Sequence, residues 1–150
     1  MFNVEGFDAA AARNSALTYL HYLHGVNPQG IVYLSNMYRL GVHKSVNEFF
    51  HSWFCHGSPK WDRVGVSTYG PPPGFLTGGP NPGYDWDRNC NSPNPNPGCG
   101  SAAPSPPKGQ PAQKSYKDFN TGWPLNSWEV TENSCGYQIN YLRLLSKFVN

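Results

Sequence analysis

Apolar residues near the start of the chain recur at intervals of three and four: Ala9, Ala12, Ala16, Leu20 and Leu23, with Tyr19 beside them. Asp8 stands where a carboxylate caps a helix, and Gly25 followed by Asn27-Pro28 ends the run, so the spacing predicts one helix between them. GIVYLSNM, residues 30–37, is β-branched and apolar and predicts a short extended segment. Val46–Cys55, VNEFFHSWFC, is apolar all round through Phe49, Phe50, Trp53 and Phe54, which predicts a second helix squeezed between neighbours and stopped by Gly57-Ser58-Pro59. At the far end Tyr137, Tyr141, Leu144, Leu145 and Phe148 form one stripe, widened by Ile139, Leu142 and Val149, so the last helix is expected to be largely buried.

Between these ends the pattern dissolves. VGVSTYGPPPGFLTGGPNP, residues 64–82, is too rich in glycine and proline for helix or regular sheet. Asp85-Trp86-Asp87, an Asn/Pro loop and SAAPSPPKGQP prolong the irregular stretch to about residue 112. Its Trp, Tyr and Phe residues argue against plain disorder, and irregular segments of this length in a domain tend to carry function. There is no internal repeat and no heptad. Helical ends with aromatic loops between them point to an α architecture with its site on the loops at one rim.

Composition narrows the partners. The 150 residues suit one domain, but most of the 15 prolines and many of the 16 glycines crowd the middle and leave a thin core. Net charge is +2 and the basic residues are scattered, which argues against a nucleic-acid groove or an anionic membrane surface. No apolar run approaches the roughly 20 residues of a membrane span, and MFNVEGFD lacks the features of an export signal. Aromatics reach 15% against 13% charged residues. Flat rings beside Asn, Asp, Glu and His suit the C–H faces and hydroxyls of sugars, although cores and other interfaces also collect aromatics.

Four cysteines, Cys55, Cys90, Cys99 and Cys135, allow three pairings. Cys90 and Cys99 span an irregular loop that a local bridge would stabilise, and that pairing is preferred; four reduced thiols are the alternative. Cys55 and His56 lack the paired spacing of a zinc site. His21 and His24 lack a third ligand. No metal is therefore assigned.

Two of the four glutamates, Glu129 and Glu132, lie three apart in SWEVTENSCGYQINY, residues 127–141. On a helix continuous with the last one their Cβ atoms would be roughly 5–6 Å apart. Either could serve as a general acid, and both could equally be helix-start residues favoured by the dipole. His51, among Phe49, Phe50 and Trp53, could pack or could bond a sugar hydroxyl.

GVNPQGIVYLSNM, a histidine some twenty residues on, PGFLTGGPN, then Tyr116-Lys117-Asp118 and a glutamate before the last helix resemble, in order and spacing, the C-terminal part of glycoside hydrolase family 9, the inverting cellulases. The resemblance implies a mainly α fold, a partial (α/α)6 barrel with long Pro/Gly-rich loops, and hydrolysis of β-1,4-glucan at an open cleft. It treats residues 1–150 as the C-terminal portion of a catalytic domain: helices and connecting loops over 1–69, a loop region over 70–112, and the acid-bearing segment with the last helix over 113–150. Trp128, Glu132, Ser134, Tyr137 and Gln138 fit the family's final block, with Gln in place of Asn. That makes Glu132 the proton donor and Glu129 the second choice.

Substrate-binding residues implied by the resemblance are His51, Trp53, Tyr84, Asp118, Trp128 and Tyr137. The family's histidine normally continues with x-Arg, whereas Trp53 stands there here, and about four extra residues separate Asp118 from Glu132. The D-A-G-D-like stretch that supplies the family's base does not occur, and Asp85 and Asp87 have no precedent as substitutes. An acid without its base cannot run a two-carboxylate inversion. The expectation is thus a β-glucan hydrolase fragment partnered by the rest of its catalytic domain, or a glucan-binding remnant. It is secreted by resemblance, needs no cofactor beyond room for a structural calcium, and is prone to self-association through exposed helix faces.

Overall fold

The computed structural model describes residue 6, residues 8–86, residue 93 and residues 102–149. Helix α1 runs Ala9–Leu23, and Asp8 caps it by accepting the N–H groups of Ala10 and Ala11 at 2.9 and 3.0 Å. Strand β1, Val32–Ser35, pairs in parallel with the two-residue strand β2, Ser45–Val46. A single 3-10 turn over Tyr38–Leu40 lies between them, and another covers Ala112–Lys114. Helix α2 spans only Trp128–Thr131, and α3 runs Cys135–Leu145 with Ser134 as its cap.

Three helices and one two-stranded sheet do not make an (α/α)6 barrel, which requires twelve helices, so the expected toroid is not the architecture of the described residues. The helix expected over Val46–Cys55 is also absent. Asp118 accepts the backbone N–H of Asn47 at 2.6 Å and of Glu48 at 3.2 Å, tying the start of this segment to a distant part of the chain. Beyond it, His51 and Phe54 exchange backbone bonds of 3.0 and 2.9 Å across a tight turn. Ring packing replaces helical periodicity here, with Phe49 against Phe54 at 5.0 Å and Phe54 edge-on to Trp61 at 5.9 Å.

The core is built around β1, whose alternate side chains enter different clusters. Tyr33 points into the first, with Ile31, Val46, Tyr84, Tyr116, Phe119 and Val130; Leu34 points into the second, with Leu20 and Tyr141. The first cluster therefore draws on residues from every third of the chain. Tyr33 stacks with Tyr22 at 6.0 Å and meets Tyr116 edge-on at 5.2 Å. α1 and α3 touch the core along a narrow line only: Leu20 is the buried residue of one and Tyr141 of the other. The expected burial of the last helix is not found, since Ile139 and Leu142 are 56% and 59% exposed.

Loop backbone is secured by side chains. Asn27 donates to the carbonyls of Tyr22 and Ile31, both at 2.8 Å, and accepts from Gln29 N–H, which shapes the Asn-Pro-Gln-Gly turn into β1. Ser35 donates to Pro72 O at 2.6 Å and accepts from Phe75 N–H at 3.1 Å, tying the triple-proline loop to the strand. Asp118 does the same for β2, at a cost in solvation: burial, opposed by its two N–H donors and reinforced by the nearby Glu48, pushes its carboxyl from 3.8 up to about 7. A carboxyl raised in the folded state keeps its proton to higher pH than in the unfolded chain. Stability should therefore fall as pH rises from about 4 to about 7 and level off above. Urea unfolding across that range should show this slope, and Asp118→Asn should flatten it.

Candidate functional site

The acid-bearing segment is a joint between two helices. α2 ends at Thr131, whose buried hydroxyl donates toward Phe119 O and Ser127 O at 2.8 and 2.9 Å. Glu132 is extended (φ −66°, ψ 140°), and Ser134 begins α3 by accepting Tyr137 N–H at 3.1 Å. The two glutamates thus lie on opposite sides of a helix boundary, and the expected continuous helix is broken between them. Two further contacts fix the joint. Gly79 N–H donates to Val130 O at 2.8 Å, and a Cβ on Gly78 would stand 3.0 Å from Val130 O and 3.4 Å from Glu132 O. Only glycine lets the GGPN loop lie this close behind Glu132.

Glu129 and Glu132 have different surroundings. Glu129 is half-buried, and its Oε2 accepts Asp85 N–H at 2.9 Å and the Asn81 side-chain amide at 3.4 Å. Its carboxylate organises the 81–85 turn. Glu132 is exposed, as is Tyr137, while Trp128 is half-buried.

Directly after Glu132 the chain enters the wall of a hollow of about 330 Å³. Asn133, Ser134 and Gln138 form one side, and His51, Trp53 and Phe75 the other. His51 and Trp53 are neighbours at 6.4 Å between rings, and Trp53 is 71% exposed. Ser52 Oγ lies 3.1 Å from His51 Nδ1, steadying the imidazole. Thr77 bridges to Asn133, while Gln138 accepts Leu76 N–H at 2.9 Å and donates to Leu76 O at 2.8 Å, so the middle of the PGFLTGGPN loop is clamped to the joint. The hollow brings together a flat indole, an imidazole and amides, one residue along the chain from an exposed glutamate.

The remaining sequence-derived residues lie elsewhere. Tyr84 is fully buried and donates to Leu125 O. Asp118, with Tyr116, Gln29 and Lys44, lines a separate hollow of about 290 Å³. Tyr137 faces a third, almost wholly apolar hollow of about 310 Å³ between α1 and α3, lined by no carboxylate or imidazole. His24 Nε2 lies 2.9 Å from Tyr141 OH, a packing contact between those helices. Cys55 and Cys135 are free thiols, and the Cys90–Cys99 pairing lies outside the described residues, as does Asp87. Among the described residues no group of three or more His, Cys, Asp or Glu is placed to hold a metal ion, and no helix is long and apolar enough to cross a membrane.

The sequence model of glycosyl hydrolase family 9 matches residues 3–145. The chain belongs to glycosyl hydrolase family 9. Its class is accordingly that of the glycosyl hydrolases. No match to the chain was found among curated proteins or among solved structures. Family 9 membership rests on nearly the whole chain, loops included, rather than on the helices.

Sequence reasoning did not assign Phe75, Asn133 or Cys135 to the hollow. Phe75 carried a signal, since it lies inside the PGFLTGGPN block; the others are brought there by the helix break at Glu132, which no local pattern announces. The division between the glutamates predicts opposite effects on stability. Glu129→Ala should cost about 1–3 kcal/mol by leaving Asp85 N–H and the Asn81 amide without their acceptor, whereas Glu132→Gln should stay within about 0.5 kcal/mol. Urea denaturation of the two variants measures both.

Proposed function

We propose that this family 9 chain carries the acid half of an inverting endo-β-1,4-glucanase, with Glu132 as the proton donor to the departing sugar oxygen. One observation carries the choice: Glu132 is exposed and directly precedes Asn133 and Ser134, which line the His51–Trp53 hollow, while the carboxylate of Glu129 is committed to backbone and amide donors. A general acid must hold its proton near neutral pH. His51 and Trp53 seat the sugar next to the broken bond.

Inversion also needs a base carboxylate to activate water on the opposite face, about 6.5–9.5 Å from the acid. The sequence holds no D-A-G-D-like stretch, so we assign the base to another part of the catalytic domain, and the working enzyme to a longer, secreted polypeptide or a complex. The exposed faces of α1 and α3, including Tyr19, Ile139 and Leu142, suit that contact and favour self-association when the chain is alone. A second reading, glucan binding without hydrolysis, is favoured by the exposed Trp53 and the missing base.

Release of reducing sugar from soluble β-glucan, by the chain combined with the base-bearing part of the catalytic domain, separates the two. Hydrolysis that falls a hundredfold or more in Glu132→Gln, on the scale of a lost general acid, with an unchanged melting temperature, is the outcome expected of the acid. Loss on Glu129→Gln with Glu132→Gln fully active would sink the assignment. Retention on insoluble cellulose without sugar release would favour the binding reading.

A further inference from the structure

The hollow beside Trp53 does not end at Phe75. Phe75 and Gln138 also wall a smaller hollow of about 240 Å³, which includes Pro73; Pro73 in turn walls a third, of about 320 Å³, with Tyr69, Arg39 and Thr68. The hollows share walls in turn, Phe75 and Gln138 between the first and second and Pro73 of the triple-proline loop between the second and third. Aromatic rings link the same two ends underneath: Phe54, in the wall of the first hollow, meets Trp61 at 5.9 Å, and Trp61 meets Tyr69 at 4.9 Å with planes tilted by 34°.

Tyr69 is both exposed and fixed. Its ring is 59% exposed, yet its N–H donates to Lys60 O at 3.0 Å and that of Thr68 to Pro59 O at 3.1 Å. Gly70, at φ +67°, turns the chain sharply against Val64, and its N–H donates to Ser67 Oγ at 3.1 Å. Asn36 donates to Pro71 O at 2.7 Å and holds the far side of the turn. A flat ring presented on a rigid turn loses little conformational freedom when a ligand covers it. Beside it, Arg39 is exposed and has no ion pair or hydrogen bond among the described residues, so its planar donors are available. One cation, one hydroxyl and a flat ring suit a neutral polyhydroxylated chain; a phosphorylated ligand would call for more than one cation.

We propose that the Tyr69–Arg39 hollow is a second glucan-binding subsite, remote from Glu132 and joined to the Trp53 hollow by the walls shared at Pro73 and Phe75. The inference rests on the glucan reading given above and adds to it a preference for longer chains. One oligosaccharide would lie on Trp53 at one end and stack on Tyr69 at the other, with Arg39 donating to its hydroxyls.

Binding of cellobiose and cellohexaose, followed by calorimetric titration, tests this without requiring catalysis. The wild-type chain should bind cellohexaose more tightly than cellobiose. Tyr69→Leu, which keeps an apolar contact with Trp61 but loses the flat ring, should weaken cellohexaose about tenfold, the order expected for one lost stacking contact, and leave cellobiose unchanged. Arg39→Gln, at an exposed residue without bonds to lose, should move in the same direction and carries the test if Tyr69→Leu does not fold. Trp53→Ala should weaken both sugars. Wild-type affinity for cellohexaose in Arg39→Gln and in folded Tyr69→Leu, alongside weakened binding in Trp53→Ala, would overturn the second subsite and leave the glucan reading intact. No binding of either sugar by the wild-type chain would overturn both.

Discussion

A chain with this much proline and glycine has few helices or ladders in which to pair its backbone N–H and C=O groups, and groups left unpaired in the interior are costly. Side chains meet that requirement here. Asn27 closes the turn into β1, Ser35 ties the strand to the triple-proline loop, Asp118 holds the segment after β2, and Gln138 clamps Leu76 through both halves of its amide. These bonds cross long stretches of sequence, so the irregular middle is drawn onto one core without regular structure of its own. Each is also a point at which a single substitution removes a partner from a buried backbone group.

The same requirement separates two residues of identical chemistry. Glu129 belongs to the set that satisfies backbone, because Asp85 N–H is aimed at its carboxylate. Glu132 stands three residues on, after a helix that stops at Thr131, and the GGPN loop lies against its backbone while its side chain remains exposed. A glycine pair thus sets where the chain runs, and the helix break sets which glutamate emerges. The chemistry available to each follows from placement, because the free side chains have the same intrinsic acidity.

How much of this was legible before any coordinates depended on the range of the interactions. Helix α1 with its Asp8 cap and the extended GIVYLSNM segment follow from local spacing, and both are present. The Val46–Cys55 segment is instead tied to Asp118, seventy positions away, and folded back between His51 and Phe54. The continuous glutamate helix is interrupted where Glu132 turns extended and Gly79 N–H, from a distant loop, donates to the carbonyl of Val130. Burial of the last helix failed for a different reason: an apolar stripe states what a helix can cover, and here Tyr141 is buried, Leu144, Leu145 and Phe148 are partly covered, and Ile139, Leu142 and Val149 stay exposed. Family motifs reached further than periodicity, because they record the outcome of long-range contacts without showing them. The twelve-helix architecture carried along with them does not hold here.

Asp118 shows why acidity alone is a poor guide to the site. With its carboxyl pushed up to about 7, it is the acid best matched to donating a proton near neutral pH. Yet both of its oxygens accept backbone N–H groups, and it lines a hollow with Lys44 and Tyr116, whereas His51 and Trp53 line another. Its acidity is the by-product of holding β2 in place. A proton donor must reach the leaving oxygen before its pKa matters, and that criterion favours the exposed Glu132. The raised carboxyl of Asp118 is therefore structural, and the proposed chemistry sits on a different residue.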